Sequence, residues 1–324
     1  MNRSTSRRIV LAGNVIADVV IEIPALPERG GDVVGTRTVT TAGGGFNTLV
    51  AARRLGAEAV HAGLHGTRPH GDLVRAAVAA EDIGTLLPAR ADGGTGFTVA
   101  LVDSGGERTF VTSFGAEATL APADMAAVGA QLRPGDLVQL SGYGLALPGN
   151  GPLLSGLTAA VPADSILCFD CFDPRPLVAD IPESVLAPVL ARTDWLSANA
   201  RDARIMTGHE DPRTAAAALG QRLAPGAGAL VRADRDGCRP AAPGQQPVHV
   251  PGFPVTAVDG NGAGDAHVGA FLALLGQGFD ALTAARGADA AVALSVTRRG
   301  PATAPDRAEL AVFLAGDPLA GQLA

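Results

Sequence analysis

The sequence has no lysine in 324 residues, so all 25 of its basic side chains are arginine. A Walker-type phosphate loop needs its lysine, and a Schiff base to a substrate carbonyl or to pyridoxal phosphate needs an ε-amine, so both chemistries are excluded. Phosphate, if handled at all, must be met by backbone, arginine or metal. Aromatic residues make up only 4% and the formal net charge is −7. Both argue against nucleic acid as a partner, because such binders present a basic face with stacking aromatics. Three cysteines, Cys168, Cys171 and Cys238, are too few and too odd in number for a disulfide framework, which points to a reducing, cytoplasmic setting. No run approaches the roughly 18 uninterrupted apolar residues of a membrane span, so no membrane partner is expected.

The segment Ser6-Arg7-Arg8-Ile9-Val10-Leu11 imitates a twin-arginine export signal, but Asn14 and Asp18 interrupt the apolar stretch and Glu22 follows, so it reads as a buried first strand. Short apolar runs ending in Gly, Asn or Asp alternate with longer Ala/Leu-rich stretches, the pattern of βαβ units around a mainly parallel sheet. Core strands are expected at residues 8–12, 59–63, 137–140, 166–170, 195–197 and 229–232. Helices are expected at 47–55, 73–80, 151–160, 184–191, 201–207, 214–224, 264–275, 281–296 and 307–315. Two stretches, about 19–41 and 95–113, break the rhythm. The second places Asp103-Ser104-Gly105-Gly106 between two β-prone runs, a hairpin signal, and together they suggest a small second sheet standing off the main one. No fixed-period repeat is present.

The most informative segment is Asp259-Gly260-Asn261-Gly262-Ala263-Gly264-Asp265-Ala266-His267, leading into an apolar helix. Gly262, Ala263 and Gly264 leave backbone N–H groups uncovered at a helix start, where unpaired donors and the helix dipole attract an anion without any lysine. Asp265 follows in the first turn. A carboxylate there accepts a proton from a substrate hydroxyl while the N–H groups hold a transferring phosphoryl, the minimum apparatus of a kinase. The plainer alternative is a Gly-rich cap with Asp265 as dipole partner.

These residues resemble the C-terminal signature D-T-x-G-A-G-D-x-F of the PfkB or ribokinase-like carbohydrate kinases. The family's N-terminal signature is matched by Ala42-Gly43-Gly44-Gly45-Phe46-Asn47, running on to Leu55-Gly56-Ala57. Further matches are Gly13-Asn14-Val15-Ile16-Ala17-Asp18, Asp170-Cys171-Phe172-Asp173-Pro174-Arg175, Asp194-Trp195-Leu196-Ser197-Ala198-Asn199-Ala200-Arg201-Asp202, and the stretch from Ala293 to Gly300. The resemblance spans nearly the whole chain. It implies a three-layer αβα sandwich forming one kinase domain over 1–324, with the two rhythm-breaking stretches as an inserted β-sheet lid that pairs between subunits as a homodimer. It also implies ATP and Mg²⁺ as nucleotide and cofactor.

By the same resemblance Asp265 is the general base and Gly262, Ala263 and Gly264 form the anion hole. Asp18, Gly44 and Asn47 bind sugar hydroxyls, which suits a carboxylate that accepts and an amide that does both. The plainer roles are a helix N-cap for Asn47 and a turn residue for Asp18. Asn199 and Asp202 fall on an N-x-x-E motif that positions Mg²⁺ through water, with aspartate shorter by one methylene. Arg232 to Gly237 aligns with a nucleotide loop V-T-x-G-x-x-G, where Arg232 replaces Thr and Asp234 replaces the first Gly. Asp259 and Asn261 match positions near a monovalent cation such as K⁺. His267 either lines the nucleotide side or is a half-buried helix residue.

Gly44 stands where a G-G-K-G-x-N variant carries lysine, and Ser141 where some sugar kinases carry a carboxylate after the central strand. Both changes remove charge from the acceptor pocket, favouring an uncharged sugar or nucleoside. The expected reaction is transfer of the ATP γ-phosphoryl to a hydroxymethyl group of a sugar such as ribose. The alternatives are a nucleoside kinase resembling adenosine kinase, with Phe97, Phe110 and Tyr143 as a slot for the base, and a non-catalytic sugar or nucleotide sensor. Cys168 and Cys171 point to opposite faces of a strand, which disfavours metal or redox use. His61, His65 and His70 read as surface or loop residues.

Overall fold

The computed structural model describes residues 7–171 and 181–323. The matched segment at 172–175 therefore lies outside the described residues. Among them the strands are β1 (Ile9–Ala12), β2 (Val15–Glu22), β3 (Arg37–Gly44), β4 (Ala59–His61), β5 (Gly66–Thr67), β6 (Gly84–Thr85), β7 (Arg90–Gly94), β8 (Phe97–Val102), β9 (Arg108–Ser113), β10 (Leu137–Ser141), β11 (Ile166–Cys171), β12 (Trp195–Asn199), β13 (Gly228–Arg232) and β14 (Cys238–Ala241). The α-helices are α1 (Phe46–Arg54), α2 (Arg68–Ala80), α3 (Pro122–Gly129), α4 (Gly142–Ala146), α5 (Gly151–Leu157), α6 (Glu183–Arg192), α7 (Ala200–Thr207), α8 (Pro212–Gln221), α9 (Ala263–Gly276), α10 (Ala281–Val296), α11 (Arg307–Phe313) and α12 (Ala320–Leu323).

Eight strands form the main sheet in the order β14-β13-β12-β11-β10-β1-β4-β6, parallel throughout except for β14. A parallel sheet covered on both faces requires strands that are apolar on both sides, and Ile9, Val10, Leu11 and Ala12 of β1 are all buried. Alternation along β11 divides its side chains between the two helical layers. Leu167, Phe169 and Cys171 join one apolar cluster, and Cys168 joins the other. The two cysteines of the C-x-x-C do face opposite ways, both as buried thiols.

Helix α9 is apolar around nearly its whole circumference and runs through the second cluster, as an all-round hydrophobic helix must. Its Phe271 packs edge-on against Trp195 of β12, ring centroids 5.0 Å apart. A side chain buried this way contributes about 2–3 kcal/mol by area alone. Arg8 of the apparent export signal is a core element: buried, it donates to both carboxylate oxygens of Asp136, at 2.9 and 2.6 Å.

The lid is a four-stranded sheet in the order β3-β2-β8-β9. Strands β8 and β9 fall within the expected 95–113, whereas the first pair overruns 19–41, because β2 leaves the core directly after the bend at Gly13-Asn14 and β3 returns as far as Gly44. The short edge strands β6 and β14 and the helices α3, α4 and α12 have no counterpart in the sequence reading. His61 and His65 are corrected: both are buried, His61 because Gly13 crosses the end of β4 and its carbonyl lies 3.1 Å from Nε2. Burial pushes the His61 imidazole down to about 4. No α-helix among the described residues is long and apolar enough to cross a membrane.

Candidate active site

The carboxyl ends of the parallel strands carry the polar residues, as open α/β sheets place them. Neighbouring strands bring Ser141 of β10 beside Asp170 of β11, Asp170 beside Ser197 of β12, and Asn199 of β12 beside Arg232 of β13. Above this row the loop before α9 delivers the Gly262–Asp265 segment. Gly262 takes φ +74°, and a Cβ there would stand 2.6 Å from Cγ of Asn47, so only glycine permits both the turn and the approach. The first turn of α9 meets the strand ends through Arg232, which reaches the Gly264 carbonyl, and the Ala263 N–H is taken by the Gly260 carbonyl at 3.2 Å, while the positive end of the helix dipole lies at this turn.

Asp265 and Asn47, 218 residues apart, meet here: Asn47 Nδ2 donates to Asp265 Oδ2 at 3.3 Å and to the carbonyl of Gly44 at 3.0 Å. Its Oδ1 accepts from the Ala302 N–H at 2.8 Å. Asn47 therefore lies inside α1 and does not cap it; the helix begins from Gly45. Asp18 lies within strand β2, not in a turn, and is buried over β3, where a Cβ on Gly43 would fall 2.1 Å from its Oδ2. Asn261 Nδ2 donates to Asp18 Oδ2 at 3.4 Å. Gly44 ends β3 with φ +60°. Ser141 Oγ accepts from the Tyr143 N–H at 3.2 Å and caps the short α4.

The electrostatics single out Asp265. Burial, then the neighbouring Asp170 carboxylate, push its carboxyl up to about 7, against the pull of the Asn47 hydrogen bond and of Arg232. Asp18 is pushed up to about 6 by burial, partly offset by its hydrogen bond from Asn261. Arg232 is buried and turned into the site. Its Nη1 donates to the Gly264 carbonyl at 2.7 Å and its Nη2 to Asp170 Oδ1 at 3.0 Å. Asp170 carries no role in the sequence motifs; the signal that marks it is an acid in the last residues of a buried apolar strand.

Asn199 Oδ1 accepts from the Asp202 N–H at 2.8 Å and caps α7, which fixes Asp202 in the first turn, buried. Burial, and then the carboxylates of Asp170 and Asp202 against the pull of Arg232, raise the Cys171 thiol well above its ordinary value, and both acids therefore lie close to this strand end. Hard carboxylate oxygens, here of the buried Asp170 and Asp202, are the donor type that Mg²⁺ takes, so these residues fit that ion. Gly237 closes the loop after β13 at φ +80°, its N–H donating to the Asp234 carbonyl at 3.1 Å. His267 is fully buried rather than half-buried, its Nε2 3.1 Å from Asp289 Oδ1 of α10, beside Cys238, whose Sγ donates to Asp289 Oδ2 at 3.2 Å. Its ring thus has a partner inside the core, on α10. Asp259 is paired with Arg108 of the lid and also accepts from the N–H groups of Asn261 and Gly300, each at 2.9 Å. A carboxylate so surrounded by nitrogen donors does not fit K⁺, which is held by rings of oxygens replacing its hydration shell.

Comparison with known proteins places the chain in a family. The family model described as pfkB family carbohydrate kinase matches residues 6–307. An uncharacterized sugar kinase of Escherichia coli K12, YegV, is 31% identical over 310 residues, covering 95% of this chain and 94% of that protein. Among solved structures, Arabidopsis thaliana ribokinase complexed with ribose and ATP superposes with a TM-score of 0.76 at 22% identity, over 95% of this chain and 99% of that one. An Escherichia coli chain solved with ATP and Mg²⁺ gives 0.79 at 23%, over 96% and 99%. The chain belongs to the pfkB family of carbohydrate kinases, phosphotransferases with an alcohol group as acceptor.

Proposed function

We propose that the protein transfers the γ-phosphoryl of ATP to the hydroxymethyl group of a sugar such as ribose, with Asp265 as the general base. The observation that carries this is the junction of Asp265, Asn47 and the opening turn of α9: a carboxylate poised near neutrality in the first turn of a helix, held by an amide from another part of the chain. Asp265 takes the proton from the acceptor hydroxyl as the oxygen attacks, and the backbone of Gly262, Ala263 and Gly264 stabilises the charge that builds on the transferring phosphoryl. Asn47 orients Asp265 and, with Asp18 and Gly44, holds the sugar hydroxyls, while Ser141 adds a neutral contact. Asn199, Arg232 and Gly237 form the nucleotide side. Mg²⁺ would be held through water by Asp202 and supplies neutralisation of the phosphate charge. Closure of the lid excludes water that would otherwise compete as acceptor.

Phe97, in register with Ala17 beside Asp18, packs at a tilt of 53° against His70, ring centroids 4.9 Å apart, and offers a face for a nucleoside base. A thermal-shift and turnover panel of free pentoses, hexoses and nucleosides decides between the two acceptor classes. The expected result is an ATP-dependent turnover confined to a free sugar; turnover of nucleosides alone would transfer the assignment to them, and stabilisation by a sugar without turnover would leave a sensor. Phe110, Val111 and Phe114 are exposed on the edge strand β9 and just beyond it. A second copy of this chain covering them would make a lid-mediated dimer, which sedimentation reads directly.

A further inference from the structure

Arg108 opens strand β9 of the lid, yet its guanidinium crosses to the core and pairs with Asp259, the first acid of the segment that leads to Asp265. Both side chains are about three-quarters buried, at 25% and 20% exposure. The contact is anchored on the core side from several directions. Asp259 Oδ1 also accepts from the Asn261 N–H and Oδ2 from the Gly300 N–H, and the Val258 and Asp259 N–H groups donate to the Val296 carbonyl at 2.7 and 3.1 Å. Asp259 therefore sits at the carboxyl end of α10, where the helix dipole disfavours a negative charge. A cation is needed there. The guanidinium, charged at every accessible pH, supplies it from within the chain.

Other charges face the same place. An open cleft of about 530 Å³ between lid and core is bordered by Arg37, Arg108, Arg299, Glu22, Asp103 and Asp259. Glu22 there accepts from Arg37 at 3.1 Å and from Arg299 at 3.2 Å, a second bridge between lid and core, and Arg299 is largely exposed. The exposed bridge contributes little by itself, whereas the Arg108–Asp259 pair lies against Gly260, whose Cβ, if it had one, would be 3.6 Å from Arg108 Nη1. The cleft leaves the pair open to small ions from solvent, so a site for K⁺, if one existed, would be reachable.

We infer that Arg108 is a built-in substitute for a monovalent cation at the phosphoryl-transfer loop, making the kinase independent of K⁺ and tying the position of the lid to the loop that carries Asp265. The inference rests on the kinase reading above. Arg108 is a positioning residue: it touches Asp259 and Gly260, not the acceptor.

The test compares wild type with Arg108→Ala in potassium, sodium and tetramethylammonium chloride at equal ionic strength, reading sugar-dependent ATP turnover and the melting temperature. Wild type is expected to turn over equally in all three salts, within about twofold, and to melt without preference for K⁺. Arg108→Ala is expected to lose about tenfold or more in tetramethylammonium, a loss of one power of ten or greater in transition-state stabilisation, and to recover activity and melting temperature selectively in K⁺. A wild type that K⁺ activates or stabilises would overturn the inference, as would an Arg108→Ala enzyme that is fully active in tetramethylammonium. A variant crippled equally in every salt would show Arg108 to be merely structural and would overturn it too. If wild type shows no kinase activity in any salt, the kinase reading fails, and the melting curves still decide whether K⁺ seeks this site in either protein.

Discussion

Asp259 and Asp265 lie six residues apart, one in the loop before α9 and the other in its first turn, and their surroundings differ sharply. Asp259 is met by a guanidinium and two backbone N–H groups and has nothing left to give. Asp265 receives one side-chain hydrogen bond, from Asn47, and faces a second carboxylate, Asp170, so its proton affinity rises to the neutral range. A carboxylate saturated with donors suits a strut; one that is under-supplied, desolvated and crowded by like charge suits the base proposed above. The same residue type, in the same motif, is assigned by what the rest of the chain places against it.

The largest expected effect breaks the Asp265 side of this contrast. Asp265→Asn should lower turnover by roughly two to four orders of magnitude, the range for losing a general base, in assays with the sugar identified by the acceptor panel. Asp259→Asn, by contrast, should act through the lid and loop, with a fall in turnover that K⁺ does not restore.

Next comes the buried pair that flanks the base. Arg232→Met leaves Asp170 charged and unpaired, which should cost about 3–5 kcal/mol of stability in urea unfolding at neutral pH. The double variant Arg232→Met, Asp170→Asn should recover most of it, because the stranded charge is gone. Equal stabilities for the single and double variants would show that the pair carries no such charge coupling.

A smaller effect concerns stability and pH. The folded chain holds the Asp265 proton up to about 7, against an ordinary value of 3.8, so its contribution is complete below about 3.8 and is lost as pH rises through 7. Asp265→Asn stays neutral at every pH. It should match wild type in acid and exceed it above pH 8 by about 1 kcal/mol or more, as thermal melts across that range would record. The smallest shift belongs to Asn47→Ala, which removes the donor that lowers Asp265. The acid limb of activity should move up by about half a unit to one unit, with a loss of sugar affinity alongside.

Much of this was legible in the sequence for identifiable reasons. Continuous apolar runs such as those of β1 and β11 announce buried parallel strands, and Gly262-Ala263-Gly264 before an apolar helix announces an open helix start. The short edge strands β6 and β14 were not legible, since two residues of Gly-Thr or a stretch containing Pro240 carry no strand pattern of their own. Nor were the charge partnerships. Arg232 meets Asp170 across 62 residues and Arg108 meets Asp259 across 151, and only the order of strands in the sheet and the folding of the lid onto the core bring them together. In the sequence Arg232 is a departure from a nucleotide loop; in the fold it is the cation that offsets Asp170 and reaches the first turn of α9. His61 was misplaced for a similar reason, because the crossing Gly13 loop that buries it belongs to a different part of the chain.

The account stands most directly on the ionisation of Asp265, which the pH dependence of kcat/KM for ATP-dependent sugar phosphorylation reports for the free enzyme. It predicts a rise with increasing pH governed by a single deprotonation near 7 in the wild type. A profile that is flat across the neutral range, with its acid limb near 4 where an ordinary carboxylate titrates, would contradict it.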